Sequence, residues 1–184
     1  MGGEKNGKMA WVDEVDFKKI SCHDHQGFGC CYSVKELVDE GERTKIPKKN
    51  GVYLILWRGH GMPGFNDGKN TGFPQNPVPR TTLTEALPER WVKGTHVIYI
   101  GKAGVLNGKG KSNLYTRLRE YLKWYQQKKN KHHGGRDIWR IDNPGNLLVT
   151  WRVTEDVDPE KCEKALLDKF TEEFKQLPFA NYRH

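Results

Sequence analysis

The stretch THVIYIGKAG, residues 95–104, decides how this chain is read. Val97, Ile98, Tyr99 and Ile100 form a short run rich in β-branched and aromatic residues, which signals a strand. Gly101 supplies the turn expected at its end, and Lys102 follows at once. A second tyrosine, Tyr53, is carried by GVYLILW at 51–57, a run apolar on both faces that reads as a central strand buried from both sides. The question is what a tyrosine and a lysine do where the backbone leaves a sheet.

Around these two strands the chain changes character several times. Residues 1–50 read as a polar N-terminal extension with one short helix, SVKELVDEG, capped by Ser33 and stopped by Gly41. Residues 58–94 include RGHGMPGFNDGKNTGFPQNPVPR, whose Gly, Pro and Asn suit neither a helix nor a central strand. Past Lys102 a second glycine-rich loop leads into a helix from about Asn113. Leu114, Leu118, Tyr121, Leu122 and Tyr125 form its apolar stripe, and Lys128, Lys129 and Lys131 lie at its exit. DIWRI (137–141) and NLLVTWRV (146–153) read as strands around the turn DNPGN. Asp158 and Pro159 start a helix that runs to about Phe174. The expected fold class is α+β: a small, mainly antiparallel central sheet flanked by helices. A long insert, at about 58–94, separates its first two core strands.

At 184 residues the chain suits one domain, over 51–184, behind the extension. Mean hydropathy is −0.83, yet 11% of residues are aromatic, which favours a loop-rich globular protein over a disordered one. A formal charge of +8 and a pI near 9.3 point to an anionic partner, with nucleic acid or a membrane surface as the usual candidates. No stretch is long enough to span a bilayer, and MGGEKNGKMA lacks the apolar run of a secretory signal. Position 6 is Asn, where a myristoylation motif has Ser or Thr. A cytoplasmic protein with no membrane partner is expected. The segment CHDHQGFGCC (22–31) has zinc-ligand types, but its spacing fits none of the common paired patterns. Unpaired thiols at Cys22, Cys30, Cys31 and Cys162 are the preferred reading.

Read in order, GVY at 51–53, VIYIGKA at 97–103, NLYTRLREYL at 113–122, CEKALLDKF at 162–170 and LPFAN at 177–181 resemble the signature segments of the GIY-YIG nucleases. The GKA after the second tyrosine, and a tyrosine four residues past Arg117, are closest to UvrC-type nuclease domains and to some restriction enzymes of that family. The resemblance covers residues 51–57 and 95–181. It implies a phosphodiesterase whose catalytic residues are Tyr53, Tyr99, Lys102, Arg117, Tyr121, Glu163 and Asn181, with one Mg²⁺ ion, or Mn²⁺ in its place, on Glu163.

The residue types suit that chemistry. Phosphodiester hydrolysis needs an activated water and a counter to the charge that develops on the phosphate. Arg117 can hold the phosphate by two parallel hydrogen bonds. Magnesium suits a single carboxylate because it keeps several waters and takes phosphate oxygens. A tyrosine is the expected base or water-orienting group. Free phenol titrates near 10, so it needs a cation nearby, and Lys102 is the expected supplier. Tyr53 and Tyr99 rank above Tyr121 for this role. Glu163 lies beside the apolar stripe of Leu167 and Phe170, where a carboxylate without a cation is costly. Taken singly, each residue also has an ordinary explanation, as sheet aromatic, solvated helix charge or dipole partner, and Asn181 could simply close the chain end against the sheet.

One departure concerns spacing. The family joins the two tyrosine strands by a tight hairpin, whereas forty-five residues lie between Tyr53 and Tyr99 here. Closing the longer loop costs little, since the entropy grows only logarithmically. Arg58, Lys69, Arg80, Arg90 and Lys93 in the insert, Lys109 and Lys111 in the later loop, and Arg119 on the helix are the expected DNA contacts. An insert of that kind suits a site-specific, restriction-type endonuclease acting as a homodimer on double-stranded DNA. The rival readings are a structure-selective repair-type nuclease, a non-catalytic nucleic-acid-binding module on the same fold, and cleavage of RNA.

Overall fold

The computed structural model of the chain describes residues 9–24, 26–67, 84–105, 112–126 and 135–182. Lys69, Arg80, Lys109 and Lys111, together with His25, Lys128, Lys129 and Lys131, lie outside the described residues.

Gly51–Leu56, all of it buried, is the central strand β2. Val97–Ala103 forms β3 and Leu148–Val153 forms β4, and both pair antiparallel with β2. A two-residue strand β1, Tyr32–Ser33, adds to the far side of β4, giving the order β1-β4-β2-β3. The fold is thus α+β, a four-stranded antiparallel sheet with flanking helices, as the sequence predicts. The long excursion does not disturb the pairing of β2 with β3. Tyr53 faces Gly101 and Ile55 faces Tyr99, and the register slips only at Leu56.

Helices cover both faces of the sheet. On one, Tyr53, Ile55, Tyr99 and Trp151 pack against α4 (Leu114–Leu122), whose buried side is Leu114, Leu118, Tyr121 and Leu122. Asn113 caps this helix in a reciprocal capping box with Thr116. Tyr125 lies past its end, half-buried against the same core. On the other face, Val52, Leu54 and Ile100 pack against α5 (Pro159–Phe174) through Cys162, Leu166, Leu167 and Phe170. Asp158 caps α5 with Pro159 in its first turn, and Lys175 ends it in the left-handed conformation.

Four expectations are corrected. The N-terminal residues do not form a polar lead-in. Ala10–Glu14 is a short helix, α1, and Val12, Val15, Phe17, Ile20 and Phe28 are buried in the α5-side core. Ser33 does cap α2 (Val34–Val38) through a capping box with Glu36, but Gly41 is no stop. Asp39 recaps the chain and α3 (Glu40–Arg43) runs through Gly41. DIWRI is not a strand, since Arg136–Arg140 is a 3₁₀ helix. Asp137 and Arg140 lie three apart on one side of it, 3.8 Å from each other, where a strand would send them to opposite faces. Every residue from Asp137 to Ile141 is buried, so the run carried no periodicity to separate a helix from a strand. Finally, Gly101 ends nothing, because β3 continues through Lys102 to Ala103.

Segment 140–142 holds both feet of the excursion. Arg140 accepts from the Asn66 N–H (2.8 Å) and donates from Nε to the Asn66 carbonyl (3.3 Å) and from Nη2 to the Thr84 hydroxyl (2.6 Å). Phe65 bridges to Ile141, and the Asp142 N–H donates to the Gly64 carbonyl.

Candidate active site

The three tyrosines of the predicted site converge. Tyr53 (β2), Tyr99 (β3) and Tyr121 (α4) have ring centroids 5.8–6.1 Å apart, with Tyr99 stacked on Tyr121 at 15°. Gly101 explains the approach. A Cβ there would lie 2.6 Å from Tyr53 Cζ and 2.8 Å from Tyr99 Cε1, so the glycine gives the two rings the room in which they meet. Gly135 does the same behind them, where a Cβ would stand 2.7 Å from the Tyr121 hydroxyl and 2.9 Å from Tyr99 Cε2.

The tyrosines are not equivalent. Tyr121 is fully enclosed and donates its hydroxyl to the Gly135 carbonyl (3.3 Å), so it backs the site and does not face a substrate. Burial holds its phenol well above the ordinary range. Burial does the same to Tyr53, which donates a hydrogen bond to Tyr99. Tyr99 is the most accessible of the three. Burial and the nearby Glu163 charge push it up to about 12, against the Tyr53 hydrogen bond and the Arg117 charge, which lower it. With one lone pair occupied by Tyr53, its oxygen keeps another lone pair and its own O–H for a water or a phosphate oxygen.

The cation acting on the phenols is Arg117, one turn before Tyr121 on α4, and not Lys102. This corrects the expected role of Lys102. Lys102 pairs in register with Val52, on the α5 side of the sheet, while Tyr53 and Tyr99 lie on the α4 side. Its ammonium forms an ion pair with Glu160 at 2.8 Å. Three residues along a strand reverse the face, so alternation alone would have shown it.

Glu163, on α5, meets the outer edge of β3 at Lys102. Burial raises its carboxyl to about 7, against the Lys102 and Arg117 charges and a hydrogen bond from the Lys102 backbone N–H, while the charge of Glu160 adds to the rise. The same edge is closed further along by the chain end. Asn181 accepts from the Ile100 N–H (3.0 Å) and donates to the Ile100 carbonyl (2.8 Å), and the Ala180 N–H donates to Ile98. The Asn181 amide therefore substitutes for a neighbouring strand. Both of its amide groups are engaged by the backbone of Ile100, the residue after Tyr99.

The predicted DNA contacts divide. Arg58 and Lys93 are exposed at the far end of β2 and β3, and Arg119 is exposed on α4 beside Glu120 and the Tyr115 ring. Arg90 is used internally, donating to the Asn181 carbonyl (2.8 Å) and covering the Tyr182 ring at 4.0 Å, which argues against a DNA contact. Tyr182 in turn donates to the buried Asp137.

No family model, curated protein or solved structure matches this chain. What the site can do is read from its own atoms. A neutral phenol, a guanidinium and a carboxylate share one end of the sheet, held there by two glycines and an asparagine. Glu163 fits a hard divalent cation: burial disfavours its charge, and a cation would restore it. Among the described residues no three His, Cys, Asp or Glu side chains form a ready cage, so such an ion would complete its shell with water and substrate oxygens. All four cysteines are described, and none is in a disulfide. Among the described residues no helix is long and apolar enough to cross a membrane.

Proposed function

We propose that the protein is a magnesium-dependent DNA endonuclease of the GIY-YIG type, restriction-like and site-specific, acting as a homodimer. The observation that supports it is the meeting of the Tyr53 and Tyr99 rings at Gly101, where both phenols feel the charges of Arg117 and Glu163 from helices far apart in the chain. A binding module has no need of a half-buried carboxylate beside a guanidinium and two phenols.

In this reading Arg117 grips the scissile phosphate with its planar fork and stabilises the charge that grows there. Tyr99 orients the attacking water with its free lone pair, and Tyr53 fixes the Tyr99 oxygen by donating to it. A phenol held at about 12 is a neutral hydrogen-bonding group at physiological pH, so Tyr99 acts by placing the water and not as a standing phenolate. Glu163 holds the divalent ion, which when bound supplies Lewis-acid stabilisation and a more acidic water. Lys102, paired with Glu160, keeps a positive charge near Glu163 and biases it toward the carboxylate.

The test is incubation of the purified protein with plasmid and with designed flap substrates, with and without Mg²⁺ or Mn²⁺. Discrete plasmid fragments are expected with metal, and none from Glu163→Gln or Arg117→Ala. Cutting confined to flaps would turn the reading to a structure-selective nuclease. Intact DNA under every divalent cation would sink it.

A further inference from the structure

At the far end of the sheet from Lys102, where the excursion leaves β2 and returns to β3, lies a groove of about 490 Å³. Trp57, Met62, Trp91, His60, His96 and Lys93 line it. Its volume is in the range of small-ligand sites. Trp57 is held ready: its Nε1–H donates to the Gly61 carbonyl (3.0 Å) and its ring meets Trp91 edge-on at 6.2 Å. Gly59 lies against the indole so closely that a Cβ would fall 2.4 Å from Cζ2. The His96 ring adds a hydrogen bond to the Trp57 carbonyl at 2.8 Å. These contacts fix an indole that a free side chain would have to order on binding.

Among the described residues the groove's lining contains no carboxylate. Lys18 also lines it but is paired with Glu173 (3.2 Å), and exposed Lys93 is a cation at the rim, with exposed His60 nearby and Arg58 beside Trp57. Met62, 51% exposed, extends the apolar wall. A fixed aromatic face with cations at its rim is the chemistry that takes a base and its phosphate. Trp57 packs against the same core as Tyr53 and Tyr99. Four residues of strand place it about 13 Å from Tyr53, on the order of four nucleotides of one strand.

We propose that this groove is a stacking site for an unpaired nucleobase of the bound strand, with Trp57 as the platform and Lys93 on the adjacent phosphate. The proposal rests on the nucleic-acid reading above, though not on cleavage.

The experiment uses the full-length protein in EDTA and a fluorescein-labelled oligothymidylate, with affinity followed by anisotropy. Trp57→Ala is expected to weaken binding about five-fold to a hundred-fold, and Trp57→Phe to keep most of the affinity. Lys93→Glu is expected to weaken it and lower the salt slope by about one. If Trp57→Ala fails to fold, Met62→Glu and Lys93→Glu, both at exposed positions, carry the test. Wild-type affinity in Trp57→Ala, or in both exposed variants, overturns the proposal and leaves the groove as a surface for an apolar protein partner. Plasmid cleavage reads the other question separately. Trp57-dependent binding without cutting keeps the stacking site and removes the nuclease, whereas cutting with Trp57-independent binding does the reverse.

Discussion

In the metal-free protein, burial holds the Glu163 carboxyl at about 7, above its unfolded value of 4.5, so between these limits the folded state binds the proton more tightly. Stability from this residue is full below about pH 4.5 and falls as pH rises to about 7. Glu163→Gln removes that loss. It is expected to be more stable than wild type at pH 8 without metal by about 1–3 kcal/mol, and equal to it at pH 4, as read by urea melts at the two pH values. Added Mg²⁺ or Mn²⁺ is expected to raise the wild-type Tm at pH 8 and leave Glu163→Gln where it was. The tyrosines separate at the same scale. Tyr99→Phe removes the most accessible of the three phenols, and single-turnover cleavage is expected to fall by about 10²–10⁴. Tyr121→Phe gives up a long 3.3 Å bond to Gly135, at a fully enclosed position, and is expected to stay within about tenfold. Equal losses in both variants would contradict the assignment of the two roles.

At the scale of elements, the site is an edge-strand device. β3 turns one edge to β2 and the other to Asn181, Ala180 and Glu163. The free hydrogen-bonding edge that would invite a foreign strand thus holds the Glu163 carboxylate in place. Gly101 is the narrowest point of the device. Gly101→Ala puts a methyl 2.6 Å from the Tyr53 ring, so Tyr53 or Tyr99 must move. A destabilisation of about 1–3 kcal/mol is expected, with a loss of cleavage larger than that stability change explains at a temperature where the variant is folded. An active Gly101→Ala enzyme would show that the ring positions do not matter. The sequence pointed to a turn here because glycine after an apolar run usually marks one. The contact that requires this glycine comes from a strand more than forty residues earlier in the chain.

At the scale of the molecule, two cores sandwich one sheet, and the α5-side core takes Val12, Val15, Phe17, Ile20 and Phe28 from the first thirty residues. Phe17 is fully buried and meets Phe170 edge-on at 5.1 Å. Phe17→Ala is expected to cost about 3–5 kcal/mol in a urea melt. A cost near zero would restore the picture of a dispensable extension. That core escaped the sequence reading because Val12, Val15, Phe17 and Ile20 are spread among charged residues with no single period, and only the groove beside α5 collects them.

The sequence by itself determined what is local: the caps at Ser33 and Asp158, the helix start near Asn113, the stripe on α4 and the doubly buried β2. Those signals lie within a few residues of one another, inside the range of a helical turn or a strand pleat. Tertiary structure decided that Lys102 faces α5 and Arg117 acts on the phenols, that Asn181 completes a strand, and that Glu163 meets the edge of β3. Each of these depends on which side of an edge strand a residue meets its partner, and that is fixed only when distant segments pack.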